Sequence, residues 1–174
     1  AYAIKKLHPE CKVYGVQAAG SASMEQSLKQ HEPITLDTAA TFADGIAVKH
    51  PGDLTFELVS KYVDGVVTVT DDETACAILA LMEKQKLVTE GAGAVAVAAA
   101  MFGKVDIRGK KTVCLLSGGN IDVNILSRVI SRGLTIAGRN STLTLQLEDK
   151  PGQLTDVSEI ISRNGGNVVR VHYN

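Results

Sequence analysis

The segment Leu116-Ser117-Gly118-Gly119-Asn120 carries the strongest local signal for chemistry in the sequence. It follows an apolar, β-rich run and opens a helical pattern, and ligands of open α/β sheets bind beyond the carboxyl ends of the strands. The Ser117 hydroxyl can hydrogen-bond a ring nitrogen, and the glycines let the backbone approach a ligand closely. Asn120 is also a good N-cap, so the pattern equally fits a tight strand-to-helix turn that binds nothing.

A second signal is Thr89-Glu90-Gly91-Ala92-Gly93-Ala94, in which a carboxylate precedes a glycine-rich helix start. The free amides of a helix N-terminus favour an anion. The pattern does not follow a strand, as a dinucleotide-binding motif would. Glu90 is therefore either a residue of a ligand site or a helix-start residue beside a closely packed helix.

Metal-dependent and nucleophilic chemistry have little support in the sequence. The four histidines lie in separate segments without the spacing of metal ligands, and no serine–histidine–aspartate arrangement stands out. Cys11, Cys76 and Cys114 show no paired spacing, which is typical of reduced thiols in a cytoplasmic protein. We therefore predict no metal site and a cytoplasmic location.

Composition narrows the class of partner. The net charge is -1, which gives no electrostatic basis for binding nucleic acid or an anionic membrane. The longest apolar stretch, around residues 92–102, is too short to span a bilayer. With 45% hydrophobic and 21% charged residues, the chain has the balance of an ordinary globular protein.

Strands alternate with helices up to about residue 138, which predicts an α/β fold: an open, mostly parallel sheet with helices on both faces. A capping box from Thr70 to Glu73 marks the start of one helix. Periodicity predicts strands at 11–17, 65–70 and 112–116, and helices at 21–31, 54–62, 71–86, 91–102 and 121–134.

The pattern changes after residue 138. Residues 141–147 alternate strictly and predict a half-exposed strand, residues 153–163 predict an amphipathic helix, and residues 167–173 predict another strand. A βαβ unit of about 35 residues is too small to be stable alone. We therefore predict two domains, residues 1–138 and residues 139–174.

Taken together, these segments resemble a known family. KVYGVQ, TFADGIAV, DGVVTVTDDE, KLVTEGAGAVAVAA and KTVCLLSGGNID occur in this order within residues 1–138. They resemble the large domain of fold-type II pyridoxal phosphate (PLP) enzymes, with the tryptophan-synthase-β-like fold. The match is closest to threonine dehydratases (threonine ammonia-lyases), with serine racemases as near relatives. The tail, through DKPGQL and GGNVV, resembles the first half of an ACT domain, a ligand-sensing βαββαβ fold.

The resemblance implies roles for particular residues. Ser117 would bond the PLP pyridine nitrogen, and its three successors would line the same ring edge. The implied cofactor-binding set is Ser117, Gly118, Gly119, Asn120, Glu90 and Gly45. The implied reaction is deamination of L-threonine, and of L-serine, through β-elimination; threonine gives 2-oxobutanoate and ammonia, in isoleucine biosynthesis or threonine catabolism.

The sequence departs from the family in two respects. The resemblance places the Schiff-base lysine and the glycine-rich phosphate loop upstream of Ala1, so we expect this fragment to be inactive alone, with no catalytic residue of its own. Serine racemases bind a divalent cation near the strand that ends at Gln17. Here Gln17, Ser21 and Ser23 stand at those positions, which agrees with the prediction of no metal.

Two other functions remain open. The chain could be a regulatory and oligomerisation fragment that senses an amino-acid or nucleotide effector, since ACT domains pair edge to edge and a homo-oligomer is expected. It could also belong to a serine dehydratase or racemase, because discrimination of threonine from serine concerns one methyl group, worth about 1–3 kcal/mol.

Overall fold

The computed structural model describes residues 1–172 of the chain. Within them it contains two β-strands and seven α-helices. The strands are β1, Tyr14–Ala18, and β2, Gly65–Val69. The helices are α1, Tyr2–Leu7; α2, Ser23–Gln30; α3, Asp53–Tyr62; α4, Asp71–Ala80; α5, Gly91–Met101; α6, Val123–Ile136; and α7, Gln153–Arg163.

The two strands form a parallel pair, in register from Tyr14 opposite Gly65 to Ala18 opposite Val69. The chain between them forms α2 and α3, because parallel neighbours need a long crossover connection. β2 is rich in β-branched residues, which suits a strand covered on both faces. The structure thus confirms the predicted α/β class with a parallel sheet.

The capping box predicted at the start of α4 is present. The Thr70 hydroxyl accepts a hydrogen bond from the Glu73 amide at 3.2 Å, and the Glu73 carboxylate accepts one from the Thr70 amide at 2.8 Å. The regular helix ends at Ala80 and continues as a π-helical turn over Leu81–Gln85. Two otherwise unpaired amides are satisfied at this helix start.

The core lies where β2, α4, α5 and α6 meet. Alanine dominates it, which lets the backbones of α4 and α5 approach closely, and Ile78 is the largest fully buried side chain. The buried cluster consists of Val69, Ala75, Ala77, Ile78, Leu81, Ala94, Val95, Ala98, Ala99 and Val129. The prediction that 91–102 forms a helix packed among others is confirmed. This core supports the N-terminus of α5, where Glu90 lies.

The predicted buried strand at 112–116 is wrong. No strand is found there, and Val113 and Leu115 are 94% and 75% exposed. The alternate side chains face inward: Leu116 packs against the core, and the Cys114 thiol donates to the Ala96 carbonyl at 3.6 Å. A strand requires a hydrogen-bonded neighbour, and none of residues 1–172 pairs with this segment.

The chain divides into two compact units, Ala1–Ser141 and Thr142–Asn174. The second contains α7 where the helix was predicted, entered through Gly152 at φ 96°. The strand predicted at 141–147 is wrong, and residues 167–172 form none either; Tyr173 lies outside the described residues. Alternation alone does not make a strand without a ladder partner. The domain boundary after residue 138 stays a prediction.

Candidate functional site

Glu90 joins the two chemical signals of the sequence into one site. Its amide donates to the Gly118 carbonyl at 3.2 Å, and its carboxylate accepts from the Asn120 amide at 3.1 Å. Glu90 is also the N-cap residue of α5, with an extended backbone. The start of α5 and the turn at 117–120 are therefore held together at two points.

Glycine is required where these two segments meet. A Cβ on Gly118 would lie 2.5 Å from a carboxylate oxygen of Glu90, and one on Gly93 would lie 2.5 Å from the Gly118 carbonyl oxygen. A Cβ on Gly119 would lie 2.9 Å from the Val88 carbonyl oxygen. The glycines of this turn therefore serve a close backbone approach within the protein.

Gly45 lies at the same place. It belongs to a short 3-10 turn, Asp44–Ile46. A Cβ on Gly45 would come within 3.1 Å of the Ala92 Cβ and 3.7 Å of a Glu90 carboxylate oxygen. The structure thus brings Gly45 to the Glu90 end of α5, about 45 residues away in the chain, as packing of a parallel α/β unit allows.

Asp71 holds the loop that carries Gly45. Its carboxylate accepts hydrogen bonds from the Thr41 hydroxyl at 2.6 Å and from the Phe42 amide at 3.4 Å. The Thr41 hydroxyl in turn accepts from the Ala43 amide at 3.1 Å. The sequence analysis does not identify this contact, because Asp71 lies within the capping segment of α4; its place directly after β2 is the signal that could have found it.

The cap of α6 differs from the prediction. The helix begins at Val123, and Asp122 caps it by accepting the amides of Asn124 at 2.7 Å and Ile125 at 3.4 Å. Asn120 is therefore not the N-cap. Asp122 is the N-cap residue instead, and its negative carboxylate is stabilised by the positive N-terminal end of the helix dipole. Asn120 is exposed.

A cavity of about 280 Å³ opens beside Glu90. Its lining residues are Phe42, Asp44, Glu90, Gly91, Asn120, Ile121, Asp122 and Ile125. Of the predicted site residues, Glu90 and Asn120 line it, while Gly45, Ser117, Gly118 and Gly119 lie outside its lining. Ser117 is exposed on the neighbouring turn. The described cavity wall carries carboxylates and no basic side chain.

Neither a nucleophilic thiol nor a metal centre is built here. Burial raises the pKa of the Cys114 thiol, so the cysteine nearest the 117–120 turn in sequence stays protonated at neutral pH. Within residues 1–172, no group of three His, Cys, Asp or Glu side chains is placed to hold a metal. Gln17 stands where the resemblance to serine racemases places a cation site, and its side chain is instead used within the protein. It donates to the Ser21 carbonyl at 3.3 Å and accepts from the Glu25 amide at 2.8 Å.

Comparison with known protein families identifies the family to which the chain belongs. Residues 1–118 match the model of the family described as "pyridoxal-phosphate dependent enzyme", and the chain belongs to that family. Its fold is that of fold-type II members. Among the described residues, no helix has the length and apolarity needed to cross a membrane.

Characterised relatives share one activity in their names. An L-threonine ammonia-lyase of Thermotoga maritima is 49% identical over 172 residues, which is 99% of this chain and 43% of that protein. A catabolic L-threonine dehydratase of Escherichia coli is 44% identical over 131 residues, 74% of this chain and 40% of that protein. The chain thus spans less than half the length of these relatives.

Solved structures agree with the sequence relatives. The processed form of threonine deaminase isoform 2 from Solanum lycopersicum superposes with a TM-score of 0.69 at 34% identity, covering 74% of this chain and 36% of that one. Maize serine racemase superposes with a TM-score of 0.67 at 29% identity, covering 79% and 43%.

Proposed function

We propose that this chain supplies the ring-binding side of the cofactor site in a PLP-dependent threonine ammonia-lyase. The substrate would be L-threonine, with L-serine as a second substrate, and the products of threonine would be 2-oxobutanoate and ammonia. The observation that carries the proposal is the double attachment of Glu90 to the Gly118–Asn120 turn. This attachment fixes the turn that contains Ser117, and a relative named L-threonine ammonia-lyase aligns with 172 residues of the chain.

The residues present fit one edge of PLP. Ser117 offers a neutral, exposed hydroxyl, and Gly118 and Gly119 leave no room for a side chain between the turn and its supports. The cavity lining, with Asp44, Glu90 and Asp122, does not fit a phosphate dianion, because like charges repel. Residues other than these would have to bind the phosphate group.

The chain's own residues would act by orientation. PLP, when bound, withdraws electrons from the α-carbon of the amino acid. The Ser117 hydroxyl would donate a hydrogen bond to the pyridine nitrogen without protonating it, which keeps the electron withdrawal moderate and favours loss of a β-substituent. Glu90 would hold the 117–120 turn at a constant distance from the ring. The reaction removes the α-proton and the β-hydroxyl as water. The enamine that results tautomerises to an imine, and a water molecule hydrolyses the imine to 2-oxobutanoate and ammonia.

We assign no lysine of this chain as the Schiff-base residue, and we expect these 174 residues to be inactive by themselves. Reduction with borohydride in the presence of PLP, followed by peptide mass mapping, tests this expectation. It predicts sparse, scattered modification of surface lysines. A stoichiometric adduct on a single lysine would contradict it.

Product analysis tests the reaction itself. Because the chain spans less than half the length of the relatives named above, we propose that it belongs to a longer enzyme. That enzyme, incubated with L-threonine, is expected to release 2-oxobutanoate and ammonia in equal amounts. The likeness to maize serine racemase makes racemisation the second candidate, since both reactions begin by removing the α-proton. Formation of D-serine from L-serine without ammonia would establish the second candidate and reject the first.

For residues 139–174 we propose a regulatory function as the N-terminal half of an ACT domain. The Thermotoga relative aligns across 99% of the chain, the tail included, and α7 has apolar Leu154 and Ile160 on its surface, both more than half exposed. Such a unit would sense an amino-acid or nucleotide effector and promote a homo-oligomer. Sedimentation of the longer enzyme with and without isoleucine, valine or a nucleotide tests this proposal, and an unchanged monomer under all conditions would reject it.

A further inference from the structure

The three acidic residues in the first turn of α4 have three different partners. Glu73 completes the capping box and pairs with Lys104 at 2.7 Å, and Asp72 pairs with Arg132. Asp71 instead faces the loop at residues 41–45, where it accepts from the Thr41 hydroxyl and the Phe42 amide. Capping of α4 is already complete without Asp71, so its contacts serve another purpose.

The loop that Asp71 holds is part of the wall of the site. Phe42 and Asp44 line the cavity beside Glu90, and Gly45 packs against Ala92. A Cβ on Gly91 would lie 2.8 Å from the Cα of Ala43. The loop therefore touches the first turn of α5 directly, and any shift of the loop changes the space around Glu90.

From these contacts we propose that Asp71 is a positioning residue for the candidate site. Through the Thr41 hydroxyl it sets the loop at 41–45, and through the loop it sets Glu90 and the turn that Glu90 holds. The relay has two hydrogen bonds in series: Thr41 donates to Asp71 at 2.6 Å and accepts from the Ala43 amide at 3.1 Å. That the positioned site binds PLP rests on the proposed function. The relay from Asp71 to the loop rests only on the hydrogen bonds described here.

Amide hydrogen exchange of the 174-residue chain tests the proposal without cofactor or substrate. In Asp71→Ala, the amides of Phe42 and Ala43 are expected to exchange on the order of tenfold faster, the scale of a lost charge-assisted hydrogen bond. The Asn120 amide, bonded to Glu90, should also exchange several-fold faster, while amides of β1 and β2 keep their rates. Unchanged exchange at Phe42 and Ala43, or a change there that leaves Asn120 unaffected, would overturn the proposal.

Asp72→Ala is the matched control, because it removes a carboxylate from the same helix turn and costs the helix end the same charge. It should leave the exchange of the 41–45 amides and of Asn120 unchanged. A second pair of variants separates the relay from general loosening. Thr41→Val, which removes the hydroxyl at nearly constant shape, should accelerate exchange at Ala43 and Asn120 as Asp71→Ala does, with less effect at Phe42, whose amide donates directly to Asp71. Thr41→Ser keeps the hydroxyl and should keep the slow exchange.

The proposed function and this inference can fail separately. If the longer enzyme produces no 2-oxobutanoate but the exchange pattern follows the relay, the reaction assignment is wrong and Asp71 still positions the site. If threonine is deaminated and Asp71→Ala exchanges like the parent chain, the positioning role is rejected. Equal acceleration in Asp72→Ala and Asp71→Ala would also reject it, because the effect would then be one of helix stability.

Discussion

Two neighbouring stretches of the chain behave differently, although both were predicted with the same kind of evidence. The turn at 117–120 is attached to Glu90 through its backbone, and its glycines meet atoms at close range. The segment at 112–116, directly before it, exposes Val113 and Leu115 and forms no strand. The turn depends on contacts with α5, whereas a strand depends on a partner strand. The turn at 117–120 therefore has defined contacts even though the segment before it pairs with no strand among the described residues.

The largest effect on stability is expected at the contact between α5 and the turn. Gly93→Ala places a methyl group 2.5 Å from the Gly118 carbonyl oxygen, and overpacking against backbone costs about 1–3 kcal/mol. We expect a loss in the free energy of unfolding near the upper end of this range, measured by urea denaturation. Gly52→Ala is the control, because its closest neighbour is the end of the Thr55 side chain at 3.3 Å. Equal losses in both variants would contradict the close contact.

A double-mutant cycle sharpens the same comparison. Glu90→Ala leaves the exposed Asn120 amide without its acceptor, which costs about 0.5–1.5 kcal/mol, the net contribution of a typical hydrogen bond. Gly118→Ala should destabilise the parent chain, because its Cβ would lie 2.5 Å from the Glu90 carboxylate. In the Glu90→Ala background the same substitution should cost much less. Strict additivity of the two free-energy changes would show that the two residues do not touch.

The capping box gives an intermediate effect outside the site. Thr70→Ala removes the acceptor of the Glu73 amide and should cost about 1 kcal/mol. Thr70→Ser retains the hydroxyl and should keep most of the stability. A loss as large in Thr70→Ser as in Thr70→Ala would assign the effect to the methyl group instead.

The smallest effect is expected on the outward face of 112–116. Val113→Thr should change the free energy of unfolding by no more than about 0.5 kcal/mol, as is usual for exposed positions. Leu116→Ala, in the same segment but packed against the core, should cost clearly more. A large loss in Val113→Thr would mean that this face is covered in solution, and the contrast between turn and segment would disappear.

Local signals predicted most of what the structure shows. The capping box at Thr70, the small-residue helix α5 and the amphipathic helix α7 each depend on interactions within a few residues. The two chemical motifs predicted a site, but its assembly did not follow from spacing. Asp71 holds the loop at 41–45 through a contact between residues 30 positions apart in the chain, which forms only in the folded protein.

The strands show the opposite limit. The sequence predicts strands at 11–17 and 65–70, and in the structure β1 and β2 overlap these ranges and pair with each other. Residues 112–116 and 141–147 have equally good strand sequences and no partner among the described residues. Pairing is a long-range property, and periodicity contains no information about whether the partner is present.

The central claim is that the turn held by Glu90 presents Ser117 to the cofactor ring. The most direct test is the turnover number for L-threonine of the longer enzyme carrying Ser117→Ala, with Ser131→Ala as the control on α6, where the hydroxyl only donates to the Ser127 carbonyl. We predict a loss on the order of a hundredfold in Ser117→Ala, the scale on which one positioned hydrogen-bond partner acts in an active site, with stability and the control activity unchanged. Equal turnover in the two variants would remove Ser117 from the site and contradict the account.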